Sequence, residues 1–178
     1  MNFNAIIRPF TEAVCKTKKI PLPTEATVMC ETSRRFLFDM VSSEIGEFCL
    51  AKTDADKIDA LVDAIIYITD SCLRHGIEPV LPQSIVPNET WQCLTPYYLF
   101  NFMTDFIVAE TVEDQTRCLS AALFGLCSSS IKDVHPFVEL VAKANEQKIL
   151  PTGFVTLNEQ GKVMKPANFV PPDLSTLL

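Results

Sequence analysis

The sequence predicts an all-α protein, an antiparallel helical bundle forming one domain over residues 1–178. Three observations carry that expectation. Apolar residues recur at three- and four-residue spacing in six segments, whereas alternating β-branched runs are scarce. The chain of 178 residues is long enough for one sizeable core and too short for two comfortable independent ones.

The elements follow in order. A first helix is expected over about residues 4 to 17. "IPLPTE" interrupts it, and Thr24 after the two prolines is a plausible N-cap for a long helix reaching about residue 51. Thr53, with Asp54 and Asp56 in the following turn, starts the next helix where the helix dipole favours anions. Ile58, Leu61, Val62, Ile65, Ile66 and Leu73 give it an apolar stripe, and Gly76 ends it. Residues 77–96 carry four prolines and are expected to connect. Helices resume over about 97–110, 113–129 and 134–148, with short hairpin loops near residues 52 and 112. The remaining 149–178 should form an extended, proline-punctuated tail over the bundle surface.

Composition narrows the function. A net charge of −7 argues against a nucleic-acid polymer as partner, because binding one requires a basic surface that displaces counterions. A nucleotide stays open, since its phosphates can be held through a divalent cation. The seven cysteines are scattered singly, with no CxxC pair, which suits buried free thiols in a reducing compartment. The N-terminus lacks the pattern of a secretory signal, and no apolar run approaches the ~20 residues of a membrane span. A cytoplasmic location without membrane association is the expectation.

One stretch stands out. In "SSEIGEF", residues 42–48, Glu44 and Glu47 lie three apart on one helix face within an oily neighbourhood. Across the loop near residue 52, Asp56, Asp59 and Asp63 lie along one face of the next helix. An antiparallel hairpin brings the two groups together, with no lysine or arginine among them. Converging carboxylates repel one another and acquire raised pKa values, which a divalent cation relieves. Oxygen-only ligands suit Mg²⁺ or Mn²⁺ rather than zinc. Acids on helices are usually a solvated face, and Asp54 and Asp56 are accounted for by capping. Asp63 resists that explanation, because it interrupts the apolar run "ALVDAIIYI". A di-iron bundle needs Glu-x-x-His pairs, and neither His75 nor His135 follows a glutamate at that spacing.

The second half echoes the first. Leu37 and Phe38 align with Leu99 and Phe100, Leu61 with Leu119, and Ala64 with Ala122. Residues 97–148 therefore contain a possible degenerate copy of the hairpin, in which Phe106, Ala109 and Ala121 replace Glu44, Glu47 and Asp63. Amphipathic hairpins share apolar spacing by default, so the identities alone do not decide between repeat and coincidence. Other polar features have ordinary explanations: Lys16, Lys18 and Lys19 as a solvated helix end, Arg34 and Arg35 as ion-pair partners, and Trp91, Tyr97 and Tyr98 as packing.

"SSEIGEF" followed by "DALVDAIIYI" resembles the all-α nucleoside triphosphate pyrophosphohydrolases, the MazG-like, dimeric-dUTPase-like and phosphoribosyl-ATP-pyrophosphohydrolase-like group. "FVELVAKANEQK" is similar to that family's segment ending in Ala-Asn-Met-Ser-Lys, and "GKVMKPANFVPPDL" to its closing Gly-Lys-x-x-Lys-Pro run. The resemblance covers about residues 24–76 and 136–174; simple members lack the middle. It implies a MazG-like bundle, a homodimer, and Mg²⁺-dependent cleavage of a nucleoside triphosphate between the α and β phosphates, giving a monophosphate and pyrophosphate. Carried over by position, Glu44, Glu47 and Asp63 would be the catalytic metal ligands, and Asp59 or Asp56 could supply one further ligand. Asn145 and Lys148, and less directly Lys162 and Lys165, would hold the nucleotide. Two departures put completeness in question. Ser43 stands where members often have a glutamate, and Ala60 where many have an acid. The alternative is therefore a catalytically impaired relative that binds a nucleotide or a partner protein without turnover.

Overall fold

The computed structural model describes residues 2–81, 89–130, 132–159 and 163–178, with backbone alone for 89–95. Among them lie six α-helices: α1 (Phe3–Lys18), α2 (Glu31–Leu50), α3 (Asp54–Arg74), α4 (Glu89–Val108), α5 (Val112–Ser129) and α6 (His135–Glu146). The described residues contain no named strand, only the isolated antiparallel bridges Ile149–Val155 and Leu157–Val163. No described helix is long and apolar enough to cross a membrane.

α2 packs along α3 and α4 along α5, forming two hairpins that also meet through α2–α4 and α3–α5 contacts. α3 is central, touching α1, α2, α5 and α6. Its buried face explains why: Ile58, Leu61, Val62, Ile65, Ile68 and Cys72 are each at most 2 % exposed. The predicted start of α3 holds in detail. The Thr53 hydroxyl accepts from the Asp56 amide while the Asp56 carboxylate accepts from the Thr53 amide, a reciprocal capping box. Gly76 adopts φ +64°. A side chain there would strike the backbone, since a Cβ would lie 2.7 Å from the Glu25 carbonyl oxygen.

Two expected boundaries move. α2 begins at Glu31, not after Thr24, and its N-cap Cys30 makes no side-chain capping bond. Long-range bonds hold the preceding segment out of the helix. The Thr27 amide donates to the His75 carbonyl, and the Met29 amide donates to Gln115 Oε1 at 2.9 Å. Gln115 Nε2 in turn donates to the Met29 and Ala109 carbonyls. Arg34 donates to the Met29 and Ile107 carbonyls, not to an acid, whereas Arg35 pairs with Glu31 at 2.8 Å as expected. α4 begins at Glu89 and takes in Pro96, eight residues earlier than predicted. A proline removes one amide donor, but the turns before it can still be helical. The rest of the 77–96 connector expectation falls partly on 82–88, outside the described residues, as does the side chain of Trp91.

Gln115 is fully buried and joins three backbone groups. Gln115→Ala is expected to cost about 2–3 kcal/mol, because it orphans the Met29 amide and the Ala109 carbonyl. Urea denaturation measures this, and a loss below about 0.5 kcal/mol would show that the clamp is dispensable.

The tail is laid down on α1 and α6. Lys16, Lys18 and Lys19 are exposed, as expected of a solvated helix end, and Lys16 Nζ also donates to the Thr152 carbonyl and sits 4.4 Å from the Phe154 ring centre. Gln147 bonds both the amide and carbonyl of Val170. Leu174 is buried in the main core. Of the cysteines, Cys15, Cys72, Cys118 and Cys127 are buried free thiols, Cys30 and Cys49 are exposed, and the Cys93 side chain lies outside the described residues.

Candidate functional site

The acids on the α2–α3 hairpin divide by burial. Glu44 is 9 % exposed, in a niche formed by Ile45, Phe48, Ala60, Leu61, Leu99 and Leu126. Glu47, one turn on, is exposed; Asp63 is half-buried on α3, and Asp59 lies at the exposed edge of the same face. Among the described residues, Glu44 takes part in no hydrogen bond or ion pair. An ionised carboxylate left like this is costly. Burial first, then the charges of Asp63, Glu47 and Asp59, push its carboxyl from the usual 4.5 to about 7. Burial and Asp59 push Asp63 up to about 6, with Lys148 and Lys165 pulling the other way. Asp59 is raised as well, by burial and then by Glu47 and Asp56, with Lys165 opposing.

The four carboxylates therefore share one electrostatic neighbourhood. They are not drawn into a closed cage: no three acid, histidine or cysteine side chains among the described residues meet tightly enough to hold an ion as they stand. The chemistry of the donor set still fits a hard divalent cation. It is all oxygen, comes from two facing helices, and includes a buried carboxylate with no donor of its own. Asp56 is committed to the capping box, and Asp54 pairs with Lys57 at 3.6 Å. Ala60 has a packing role in place of an acidic one. Its methyl lines the Glu44 niche, where a further carboxylate would add a second buried charge.

A basic and aromatic group faces this acidic one. Lys148 lies just beyond α6 and donates to Asn145 Oδ1, so these two sequence-predicted residues work as a pair. Lys148 Nζ stands 5.7 Å from the Phe10 ring centre and 5.2 Å from that of Phe169. Lys165 Nζ stands 5.0 Å from the same Phe169 ring. Lys148 and Lys165 both act electrostatically on Asp63, so the positive group lies within charge range of the acids. Lys162 lies outside the described residues.

Three neighbours escaped sequence reasoning. Tyr67 lies one turn after Asp63, and its hydroxyl is pushed up by burial and by the charges of Asp63, Glu44 and Glu47. Its four-residue spacing from Asp63 was the available signal. Phe10 and Phe169 had none, because α1 and the tail meet only in the folded chain. Gln147 fixes that meeting by gripping Val170, beside Phe169. No family model, curated protein or solved structure matches this chain.

The second hairpin shares two local features with the first. Thr111 caps α5 by accepting from the Asp114 amide, as Thr53 does from Asp56. Leu37, Val41 and Glu44 are buried on α2, and Leu99, Met103 and Phe106 on α4. The sequence alignment sets Ala109 against Glu47, but Ala109 lies just past the end of α4 while Glu47 is inside α2.

Proposed function

We propose that this protein is a Mg²⁺- or Mn²⁺-dependent nucleotide pyrophosphohydrolase of the MazG-like kind, cleaving a (deoxy)nucleoside triphosphate to the monophosphate and pyrophosphate. The observation that carries the reading is the adjacency of two opposite groups. A partnerless buried Glu44 with Glu47, Asp59 and Asp63 lies on one side, and Lys148, Lys165 and Asn145 beside the Phe10 and Phe169 rings lie on the other. A nucleoside triphosphate with its cation has both complements.

In this reading Glu44, Glu47, Asp63 and Asp59 hold the cation. When bound, the ion neutralises phosphate charge and lowers the pKa of an attacking water. The chain supplies the positioning, which is most of what phosphoryl chemistry asks of a protein. Lys148 and Lys165 bind phosphate oxygens, Asn145 orients Lys148, and a carboxylate of the acidic group orients the water. Phe169 and Phe10 carry the lysine stems and offer ring faces beside them. The two hairpins are in this view a duplicated unit of which only the first kept its acids, and the chain assembles as a homodimer.

Ser43, which is exposed, and Ala60 favour a second reading, a binding module without turnover. One assay separates the two. The protein is incubated with ribo- and deoxyribonucleoside triphosphates and Mg²⁺ or Mn²⁺, and pyrophosphate is measured. Release from at least one triphosphate, abolished by chelator, is the expected result; binding without release supports the module.

A further inference from the structure

The turn end of the second hairpin holds an open groove of about 650 Å³. That volume lies within the range of small-molecule sites. Its walls include the methyl groups of Ala109 and Ala121. Phe102 and Cys118 add apolar surface.

Its charges are unevenly matched. Arg117 pairs with Asp114 at 2.8 Å, and the Thr111 hydroxyl also donates to Asp114. Asp105 and Glu110 line the groove too, yet neither takes part in a hydrogen bond or ion pair among the described residues. Among the described residues the groove thus combines apolar walls with two unpaired carboxylates, while the lining Arg117 is already paired. Phosphate-bearing ligands are repelled by the same carboxylates.

We propose that this groove binds an organic cation, a small aromatic or aliphatic body bearing an ammonium or guanidinium group. Asp105 and Glu110 hold the charge, and Phe102, Ala109, Cys118 and Ala121 cover the apolar body. A cation over the Phe102 ring gains further from the ring quadrupole. The inference stands on the groove alone and holds whether or not the first hairpin turns over a nucleotide.

Amide NMR of the 178-residue chain tests it with three probes matched in shape: 2-phenylethylammonium, 2-phenylethanol and phenylacetate. The ammonium is expected to shift the amides of Asp105, Ala109, Cys118 and Ala121 and to bind at least about tenfold more tightly than the alcohol, with no response to phenylacetate. The double variant Asp105→Asn, Glu110→Gln should bring the ammonium down to the alcohol's affinity. Both side chains are exposed, and circular dichroism checks that the fold persists. Equal binding of all three probes would overturn the proposal, leaving only an apolar crevice. Shifts centred on Glu44, Glu47 and Asp63 would overturn it by sending the cation to the first hairpin. So would a silent titration with sedimentation showing a dimer that the double variant dissociates, because a second copy would then fill the groove.

Discussion

Asp63→Asn is expected to lower pyrophosphate release by about a hundredfold or more without lowering the melting temperature of the metal-free protein. The two effects separate because they come from different states. Without a cation, Asp63 is half-buried among Asp59, Glu47 and Glu44, and its carboxyl is pushed up to about 6 by burial first. An amide of the same shape removes one of the repelling charges, so the empty fold loses nothing. With a cation and substrate, the same charge is needed, and the amide cannot supply it. Glu47→Gln should act in the same direction from its exposed position on α2. Asp54→Asn is the control: Asp54 is tied to Lys57, and its loss should leave turnover within about twofold and stability within about 0.5 kcal/mol. If Asp63→Asn and Glu47→Gln both turn over like the parent, the acidic group is not the reaction centre.

The metal-free protein should grow less stable as pH rises from about 4.5 to about 7, the reverse of the usual carboxylate behaviour. Glu44 sets the sign. Its carboxyl is raised in the folded chain from 4.5 to about 7. Below 4.5 the group is protonated in both folded and unfolded chains. Above that, the unfolded chain ionises freely while the folded chain resists, and the advantage of the neutral form is lost by the time pH passes 7. The size is on the order of 3 kcal/mol, or a fall of roughly 5–10 °C in Tm for a chain of this length. Asp63 adds to the same slope at the acid end, since its pKa is raised from 3.8 to about 6. Glu44→Gln should flatten the slope and raise the melting temperature at pH 8. Added Mg²⁺ or Mn²⁺ should stabilise the parent at pH 8 by mass action and leave Glu44→Gln nearly unmoved. Thermal melts with and without chelator at pH 5 and pH 8 measure all of this. A parent that melts higher at pH 8 than at pH 5 without metal would refute the burial argument for Glu44.

A stability penalty concentrated at Glu44 is itself informative. Its niche is otherwise apolar, and a leucine or glutamine would fit without the electrostatic cost. Under the proposed metal-binding role, a carboxylate there trades stability of the empty fold for affinity towards a cation.

Local physics explains what the sequence made legible. α3 was readable to its first residue because Thr53 and Asp56 cap each other within four residues, and its end because Gly76 takes a backbone conformation that suits glycine. The shared face of Glu44 and Glu47 followed from helix geometry alone, as did their opposition to Asp59 and Asp63 across a short loop. The start of α2 was not readable. Thr24 is a sound local cap, but Gln115, eighty-six residues from Met29, holds the segment before Glu31 in extended form. Local capping is worth about 1 kcal/mol, and several buried backbone bonds outweigh it.

The sequence by itself determined that this chain is helical, where its central hairpin turns, and that Glu44 and Glu47 lie on one arm of that hairpin with Asp59 and Asp63 on the other, because each depends on contacts a few residues long. Only the tertiary structure decided that Glu44 is buried while Glu47 is exposed, since Leu99 and Leu126 of the other hairpin complete the niche around Glu44. The tertiary structure likewise brought Lys165 and Phe169 to Lys148 and Phe10, through a tail held by Gln147. Those contacts join residues far apart in the chain, and their strength comes from desolvation and packing that exist only once the helices have assembled.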